Sequence, residues 1–268
     1  MKQAGKKKPC NQSQTGGSLN RAVIILKAIA QAPHQGSLLA ELAAKTSLPR
    51  ATVHRVLDIL KSVGWIQRDP ITARFNLGSD LAALGVTTIS RNPIDYIAAQ
   101  ELNDLAQRLN QAIYLNVRSG LDVVCIGSYE GQSQMQLGPS RVGMRDPFGS
   151  SPSCLAMLSR LPKNEIKEII RFNMSRYRGI EGFDEKRFHF TLNETIKNGY
   201  SVCTSVIRNS ITLLGFGVPI CDSSGYPVAG ISTTYVSGSA NGEQLQQGLA
   251  QLKKAAANIQ RRLSAEGY

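Results

Sequence analysis

Residues Leu38–Leu77 read LLAELAAKTSLPRATVHRVLDILKSVGWIQRDPITARFNL. This stretch decides the fold of the N-terminal part of the chain. It divides into a short helix, a tight turn, a second helix and a two-stranded hairpin. In the second helix Val53, Val56, Leu57 and Leu60 fall at i, i+3, i+4 and i+7, a single apolar stripe. Arg50, Thr52, His54, Arg55 and Lys61 lie off that stripe. A helix with a buried stripe and a basic, hydrogen-bonding outer face is built to lie in a groove of DNA.

The punctuation agrees. The turn Thr46-Ser47-Leu48 leads to Pro49, whose fixed φ suits a first helical position, and Gly64 is placed to close the second helix. Ala43 is small where the two helices must approach. Trp65–Arg68 and Arg74–Leu77, joined by Asp69-Pro70-Ile71-Thr72-Ala73, form the hairpin, which makes a winged helix-turn-helix. The short helix begins without a complete capping box. A Ser37 cap puts Ala40 at N3, and a Leu38 cap puts Glu41 there without a hydroxyl partner.

Helix-turn-helix spacing also arises in ordinary helical bundles, and some winged domains bind only protein. Charge separates these readings. Residues 1–78 hold 12 Lys+Arg against Glu41, Asp58 and Asp69, a net of +9, while residues 79–268 hold 19 against 16 acids, a net of +3. Segregated positive charge implies a polyanion partner for the N-terminal part.

Outward from this stretch, residues 1–17 are polar and lysine-bearing and are expected to be a disordered arm. The run Lys6-Lys7-Lys8 is a solvated tail or a phosphate contact. Ser18 or Asn20 can cap a first helix to about Ala30, with Leu19, Val23, Leu26 and Ile29 or Ala30 inward. Residues 18–78 thus form the winged domain, and 79–92, capped by Ser79, form a linker helix. Residues 93–268 form a second domain, opened by Asn92-Pro93 and a stripe of Ile94, Ile97, Ala98, Leu102, Leu105 and Leu109. Alternation then marks a hairpin over 112–119 and 123–129 and strands over 200–207, 213–220 and 228–235. Helices are expected over 154–160, 165–172, 185–198 and 242–265, and the Gly/Pro/Ser-rich residues 141–153 read as a loop. The fold class is α+β, with an antiparallel sheet in the second domain.

Composition excludes several functions. At 268 residues with 42% hydrophobic and 19% charged content, the chain can bury two cores. No apolar run approaches the roughly 20 residues that span a bilayer. The basic N-terminus has no apolar h-region, so a cytoplasmic location and no membrane partner are expected. Cys10, Cys125, Cys154, Cys203 and Cys221 are scattered and form no CxxC pair, and His34, His54 and His189 complete no metal-ligand spacing. Free thiols, with no metal and no cofactor, are expected.

No catalytic constellation is visible, and the chain reads as no enzyme. Ser150, Ser151 and Ser153 open onto a helix, but their pattern departs from a nucleophile elbow and His189 is the one histidine of that domain. The same segment suits a ligand-binding lip, where hydroxyls and N–H groups favour small anions. Ser232 and Thr234 point to one face of a strand otherwise apolar, partnered by a ligand or by neighbouring strands.

At this point the chain resembles the IclR family of bacterial transcriptional regulators over about residues 18–265. The resemblance rests on LAELAAKTSLPRATVHRVLDILKSVGWIQRD and its wing ending in FNLG, then on DPFGSSPSCLAML, KNGYSV and GFGVPICDSSGYPVAGIST. It implies an N-terminal winged helix-turn-helix, a linker helix and a GAF-like effector-binding domain. The implied assembly is a homodimer or homotetramer, acting as repressor or activator at a near-palindromic operator in double-stranded DNA. The implied effector is a small molecule, an organic or aromatic acid of catabolism. Residues matching DNA-reading positions are Arg50, Ala51, Thr52, His54, Arg55, Arg68 and Arg74. Those matching the effector pocket are Phe148, Ser151, Ser153, Cys154, Cys203, Pro219, Ser232 and Thr234. The chain departs from the family at Ser47, where a glycine is usual, at Cys154-Leu155 in place of a glycine-lysine pair, and at Cys203 and Thr204 in place of acidic residues. The alternative is an enzyme or assembly module carrying a winged domain.

Overall fold

The apolar stripes assemble as the periodicity requires. In the computed structural model, which describes residues 17–90, 93–131, 141–207 and 211–267, the chain divides into two units, Met1–Thr88 and Ile89–Tyr268. The expected arm over residues 1–17 lies, Gly17 apart, outside the described residues, as do Cys10 and the expected cap Asn92.

The first unit contains α1 (Ser18–Ala30), α2 (Leu39–Thr46), α3 (Arg50–Ser62) and the antiparallel pair β1 (Ile66–Arg68) and β2 (Phe75–Leu77). Val53, Val56, Leu57 and Leu60 of α3 are all buried, packed with Ile25, Ile29, Leu42, Ile66 and Phe75. Full burial of one such side chain stabilises by about 1.5–3 kcal/mol, so this stripe fixes how α3 sits. Gly64 follows α3 with φ 71°, and the Trp65 N–H closes back on the Leu60 carbonyl at 3.0 Å.

α1 is turned relative to expectation. Leu19 is 76% exposed and Val23 and Ala30 are also exposed, while Ile25, Ala28 and Ile29 are buried. Val23-Ile24-Ile25-Leu26 is apolar at four successive positions, so periodicity alone leaves the inner face open. No hydroxyl caps this helix. Gly17 precedes it, and the Gly17 carbonyl accepts from the N–H groups of Asn20 and Arg21. At α2 the Leu38 N–H donates to the Glu41 carboxylate at 2.9 Å, and the leucine side chain returns nothing. Ser47 ends α2 in the left-handed region, at φ 55° and ψ 26°. A side chain there costs about 1 kcal/mol that glycine avoids. Ser47→Gly is therefore expected to stabilise this unit by about 0.5–1 kcal/mol in thermal denaturation; an unchanged or lower melting temperature would show that the turn carries no such strain.

α4 (Ser79–Ser90) spans the division between the units. The second unit then runs α5 (Pro93–Leu109), β3 (Ile113–Ser119), β4 (Asp122–Tyr129), β5 (Arg145–Pro147), α6 (Pro152–Leu158), α7 (Lys163–Tyr177), α8 (Glu185–Asn198), β6 (Ser201–Ile207), β7 (Ile211–Cys221), β8 (Pro227–Val236) and α9 (Gly242–Ala265). Its strands form one antiparallel sheet in the order β5-β4-β3-β8-β7-β6. β5 lies in the stretch expected to be a loop. Arg, Asp and Pro have little strand character, but an edge tolerates proline, and pairing with Val123 and Val124 of β4 holds the segment.

Alternation sorts the sheet into two faces. On one, Ile113, Leu115, Phe216, Val218, Ile220 and Ile231 pack against α5 and α9. On the other, register places Cys203 opposite Gly215, Gly215 opposite Thr234, Gly217 opposite Ser232, and Pro219 and Asn116 both opposite Gly230. α6 lies directly on this face. A Cβ at Gly217 would stand 2.2 Å from the Pro152 carbonyl, and one at Gly230 would stand 2.8 Å from the Ser153 carbonyl oxygen. Glycine is the residue that lets the helix approach this closely.

Candidate nucleic-acid interface and effector site

At about 100° per residue, Ala51 and Arg55 lie opposite the buried stripe of α3. Arg50, His54 and Lys61 run along one flank, and Thr52 runs along the other. Both Arg50 and Arg55 are exposed. The Arg50 flank faces the wing. Arg50, His54, Asp58 and Lys61 of α3, Arg68, Ala73 and Phe75 of the hairpin and Leu38, Leu39 and Ala40 at the start of α2 line a groove of about 280 Å³.

The hairpin that forms the outer wall is shaped locally. The Asp69 carboxylate accepts from the Thr72 N–H at 2.7 Å and the Ile71 N–H at 2.9 Å, and these bonds, the Thr72 pair first, hold its carboxyl below the usual range. Ala73 takes φ 57° to close the turn. The Arg68 guanidinium sits 5.6 Å from the Phe75 ring centroid, so its stem follows the wing. Three basic side chains, Arg50, Lys61 and Arg68, thus border the groove, with one carboxylate, Asp58, at 2.9 Å from His54 Nδ1. The balance is positive and suits an anionic backbone.

Arg74 is the exception among the sequence-matched positions. It donates to the Gly36 carbonyl at 2.8 Å and lies 3.3 Å from the Glu41 carboxylate, with its side chain 27% exposed. It ties the wing to the start of α2 rather than lining the groove. Its internal partners lie 38 and 33 residues away in sequence, beyond the reach of a local reading. Lys61 takes a place in the groove that its position off the stripe allowed but that the resemblance did not assign.

The eight positions matched to an effector pocket come together around α6. Cys203, Pro219, Ser232 and Thr234 share the sheet face beneath it, while Ser151, Ser153 and Cys154 lie at its first turn. Phe148, Ser153 and Cys154 are fully buried. The hydroxyls of Ser151 and Ser153, however, are engaged within the protein. Ser153 Oγ accepts from Asn116 Nδ2 at 2.9 Å and Ser151 Oγ lies 2.7 Å from Cys154 Sγ, while Ser201 Oγ of the neighbouring strand donates to the Pro152 carbonyl at 2.6 Å. The expectation that this helix start presents free donors to an anion fails here. α6 has seven residues, and its first position is a proline without an N–H.

Burial pushes the thiols of Cys125 and Cys154 up to about 11 and that of Cys203 up to about 12, against weaker opposing hydrogen bonds. They stay protonated at neutral pH and behave as small apolar groups. Cys125, Cys154, Cys203 and Cys221 are free, as the scattered spacing implied. Phe148 itself is fixed from outside the cluster. Its carbonyl accepts from the Tyr177 hydroxyl, and the Arg118 guanidinium lies 5.2 Å from its ring centroid. Behind it, Asp122 binds Arg176 at 2.6 Å and Arg145 at 3.1 Å, joining β4 to α7 and β5.

Two family models match the chain: the IclR helix-turn-helix domain over residues 18–70 and the bacterial transcriptional regulator IclR C-terminal domain over residues 86–261. The HTH-type transcriptional regulator KipR of Bacillus subtilis is 27% identical over 86% of this chain and 91% of its own length. The regulator KdgR of Escherichia coli is 22% identical, covering 96% of each chain. Among solved structures, the IclR of Thermotoga maritima matches with a TM-score of 0.65 at 27% identity, over 94% of this chain and 99% of that one. An IclR homolog of Microbacterium hydrocarbonoxydans complexed with 4-hydroxybenzoate matches with a TM-score of 0.72 at 21% identity, over 92% and 99%. These relatives are regulators of transcription, not enzymes. Among the described residues no helix is long and apolar enough to cross a membrane.

Proposed function

Since the chain belongs to the IclR family of bacterial transcriptional regulators, we propose how its own residues divide the work. Arg55 and Ala51, at the centre of the outer face of α3, read base edges in the major groove, arginine at guanine and alanine at a thymine methyl. Thr52 contacts bases from the far flank. Arg50, His54, Lys61 and Arg68 hold the phosphate backbone that runs between α3 and the wing. The observation that carries this division is the groove itself, which places the four side chains around one channel. Arg74 acts only by holding the wing in place. Two chains related by a two-fold axis set two such helices about one helical turn apart, so the operator is a near-palindrome. The protein does this in the cytoplasm, under the control of a small molecule.

The test is a fluorescence-anisotropy titration with duplex from upstream of the protein's own gene and with a scrambled duplex. Arg55→Ala is expected to weaken the specific duplex by about 1–3 kcal/mol, a 5- to 150-fold loss, and leave the scrambled one nearly unchanged. Arg68→Ala is expected to weaken both and to lower the salt slope by about one. Equal wild-type affinity for the two duplexes would remove the sequence-reading role.

For the effector we propose a small aromatic acid bound beside α6, at the positions that match the family's effector pocket. Phe148, the neutral thiols of Cys154 and Cys203 and Pro219 suit an aromatic body, and Ser232 and Thr234 supply polar contacts. The 4-hydroxybenzoate complex of the Microbacterium protein, at 21% identity, is consistent with that class. A thermal-shift series on the full chain, with 4-hydroxybenzoate, other aromatic acids and aliphatic acids, checks it. A ligand selective for the folded state raises its melting temperature; a rise with the aliphatic acids alone would overturn the class.

A further inference from the structure

One acid stands among the basic side chains of the groove beside α3. Arg50, His54 and Lys61 of α3 and Arg68 of the wing line it, and Asp58 is the one carboxylate that does so among the described residues. A bare carboxylate there would repel the phosphates that the other side chains attract. Asp58 instead lies 2.9 Å from His54 Nδ1, four residues away along α3. Both side chains are exposed, at 62% and 64%, so packing fixes neither of them. A carboxylate only accepts hydrogen bonds, so the ring hydrogen sits on Nδ1. In the neutral ring Nε2 is then a bare acceptor, and a phosphate oxygen is another. Two acceptors cannot bond. Only the imidazolium can donate to Asp58 through Nδ1 and to a phosphate through Nε2 at once.

We propose that Asp58 is a positioning residue of the DNA interface, which holds His54 so that a duplex is bound with uptake of one proton at Nε2. It rests on the reading that His54 contacts the phosphate backbone. The proton comes from solvent, and the duplex is held more tightly as pH falls from 8 to 6. The groups around the ring make the bound phosphate the deciding charge. Arg50 and Lys61 on α3 and Arg68 on the wing oppose a further positive charge, and Asp58 favours it. The start of α2 adds Leu38, Leu39 and Ala40, which carry none, and the adjoining Glu41 is paired with Arg74 at 3.3 Å. An arriving phosphate adds the negative charge that tips this balance. Histidine is the side chain whose charge ordinarily changes between pH 5 and 8, so the effect falls near neutral pH. Asp58 thereby makes one phosphate contact sensitive to pH, while those of the arginines and Lys61 are not.

Fluorescence anisotropy of the full chain with the upstream duplex, at fixed salt between pH 8 and pH 6, tests it. One proton taken up on binding changes affinity by at most about tenfold per pH unit. The wild type is expected to bind about 3- to 30-fold more tightly at pH 6 than at pH 8, with a salt slope larger by about one. His54→Gln is expected to bind equally at both. His34→Gln, at an exposed position before α2, is expected to keep the wild-type rise. Asp58→Asn is expected to move the rise to lower pH, and Asp58→Glu to restore it. A role for Asp58 in helix stability alone would leave the pH profile in place. A flat wild type, a rise that survives in His54→Gln, or an Asp58→Asn profile matching the wild type overturns the proposal. Arg68→Ala separates its failure from that of the phosphate reading. A flat wild type with a salt slope still lowered by Arg68→Ala removes the proton uptake and leaves the phosphate contacts. An unchanged slope both in Arg68→Ala and, at pH 6, in His54→Gln removes the phosphate contacts and the proposal with them.

Discussion

Gly217→Val is expected to cost the second unit about 3 kcal/mol or more, the largest loss from any single methyl-bearing side chain on this sheet face. The atoms that the new Cβ would meet are the Pro152 carbonyl at 2.2 Å and the Ser153 nitrogen at 2.6 Å. Both are backbone, so no rotamer change relieves the clash. α6 must lift, and three things lift with it: the Asn116–Ser153 hydrogen bond, the Ser201–Pro152 bond and the burial of Cys154. Gly225→Ala is the control. Nothing lies within 4 Å of a Cβ there, and the position carries only the cost of its φ of 83°, about 1 kcal/mol. Urea unfolding of the full chain followed by circular dichroism should show the two variants well apart. Equal midpoints would show that α6 is free to move on the sheet.

Asp122→Ala is expected to cost about 2–3 kcal/mol, because it leaves Arg145 and Arg176 without the carboxylate between them in a site only partly open to water. The same residue predicts a pH dependence. Burial alone would push its carboxyl up, but hydrogen bonds and charge from Arg176 and Arg145 outweigh burial and hold it below the usual range. A carboxyl lowered by folding stabilises the native state above its unfolded value, about 3.9, and that contribution disappears as pH falls through the lower folded value. Asp146 works in the opposite sense, raised by burial and then by the negative charge of Asp122. Wild-type stability should therefore fall as pH drops below about 4, and the fall should be shallower in Asp122→Ala. Parallel curves for the two proteins would remove Asp122 as the acid-sensitive group.

The parts of this fold that could be read in advance are those where one periodicity meets one kind of neighbour. α3 shows its inner face because Val53, Val56, Leu57 and Leu60 are flanked by polar residues, and all four are buried. The stripe of α5, and the long final helix over 242–265, follow for the same reason. α1 was not legible at that level, since a continuous Val-Ile-Ile-Leu run fits several faces and the surfaces of α2 and α3 choose among them. β5 was hidden by its own composition and exists through pairing with β4. The site divided in the same way. The exposed cations of α3 were visible as departures from a stripe. The commitment of Arg74 to Gly36 and Glu41, of Ser153 to Asn116 and of Ser201 to the Pro152 carbonyl depends on contacts between residues far apart in the chain.

The Arg74 link has a consequence for selectivity. Because the guanidinium ties the wing to the start of α2, the width of the channel beside α3 is set before any duplex arrives. For the proposed contact, little loop ordering then remains as a cost of association. A channel of preset width also works as a gauge. It favours sequences whose groove already has the matching dimensions and penalises those that must be bent or widened to enter. Part of the preference for an operator would then lie in base pairs that no side chain touches.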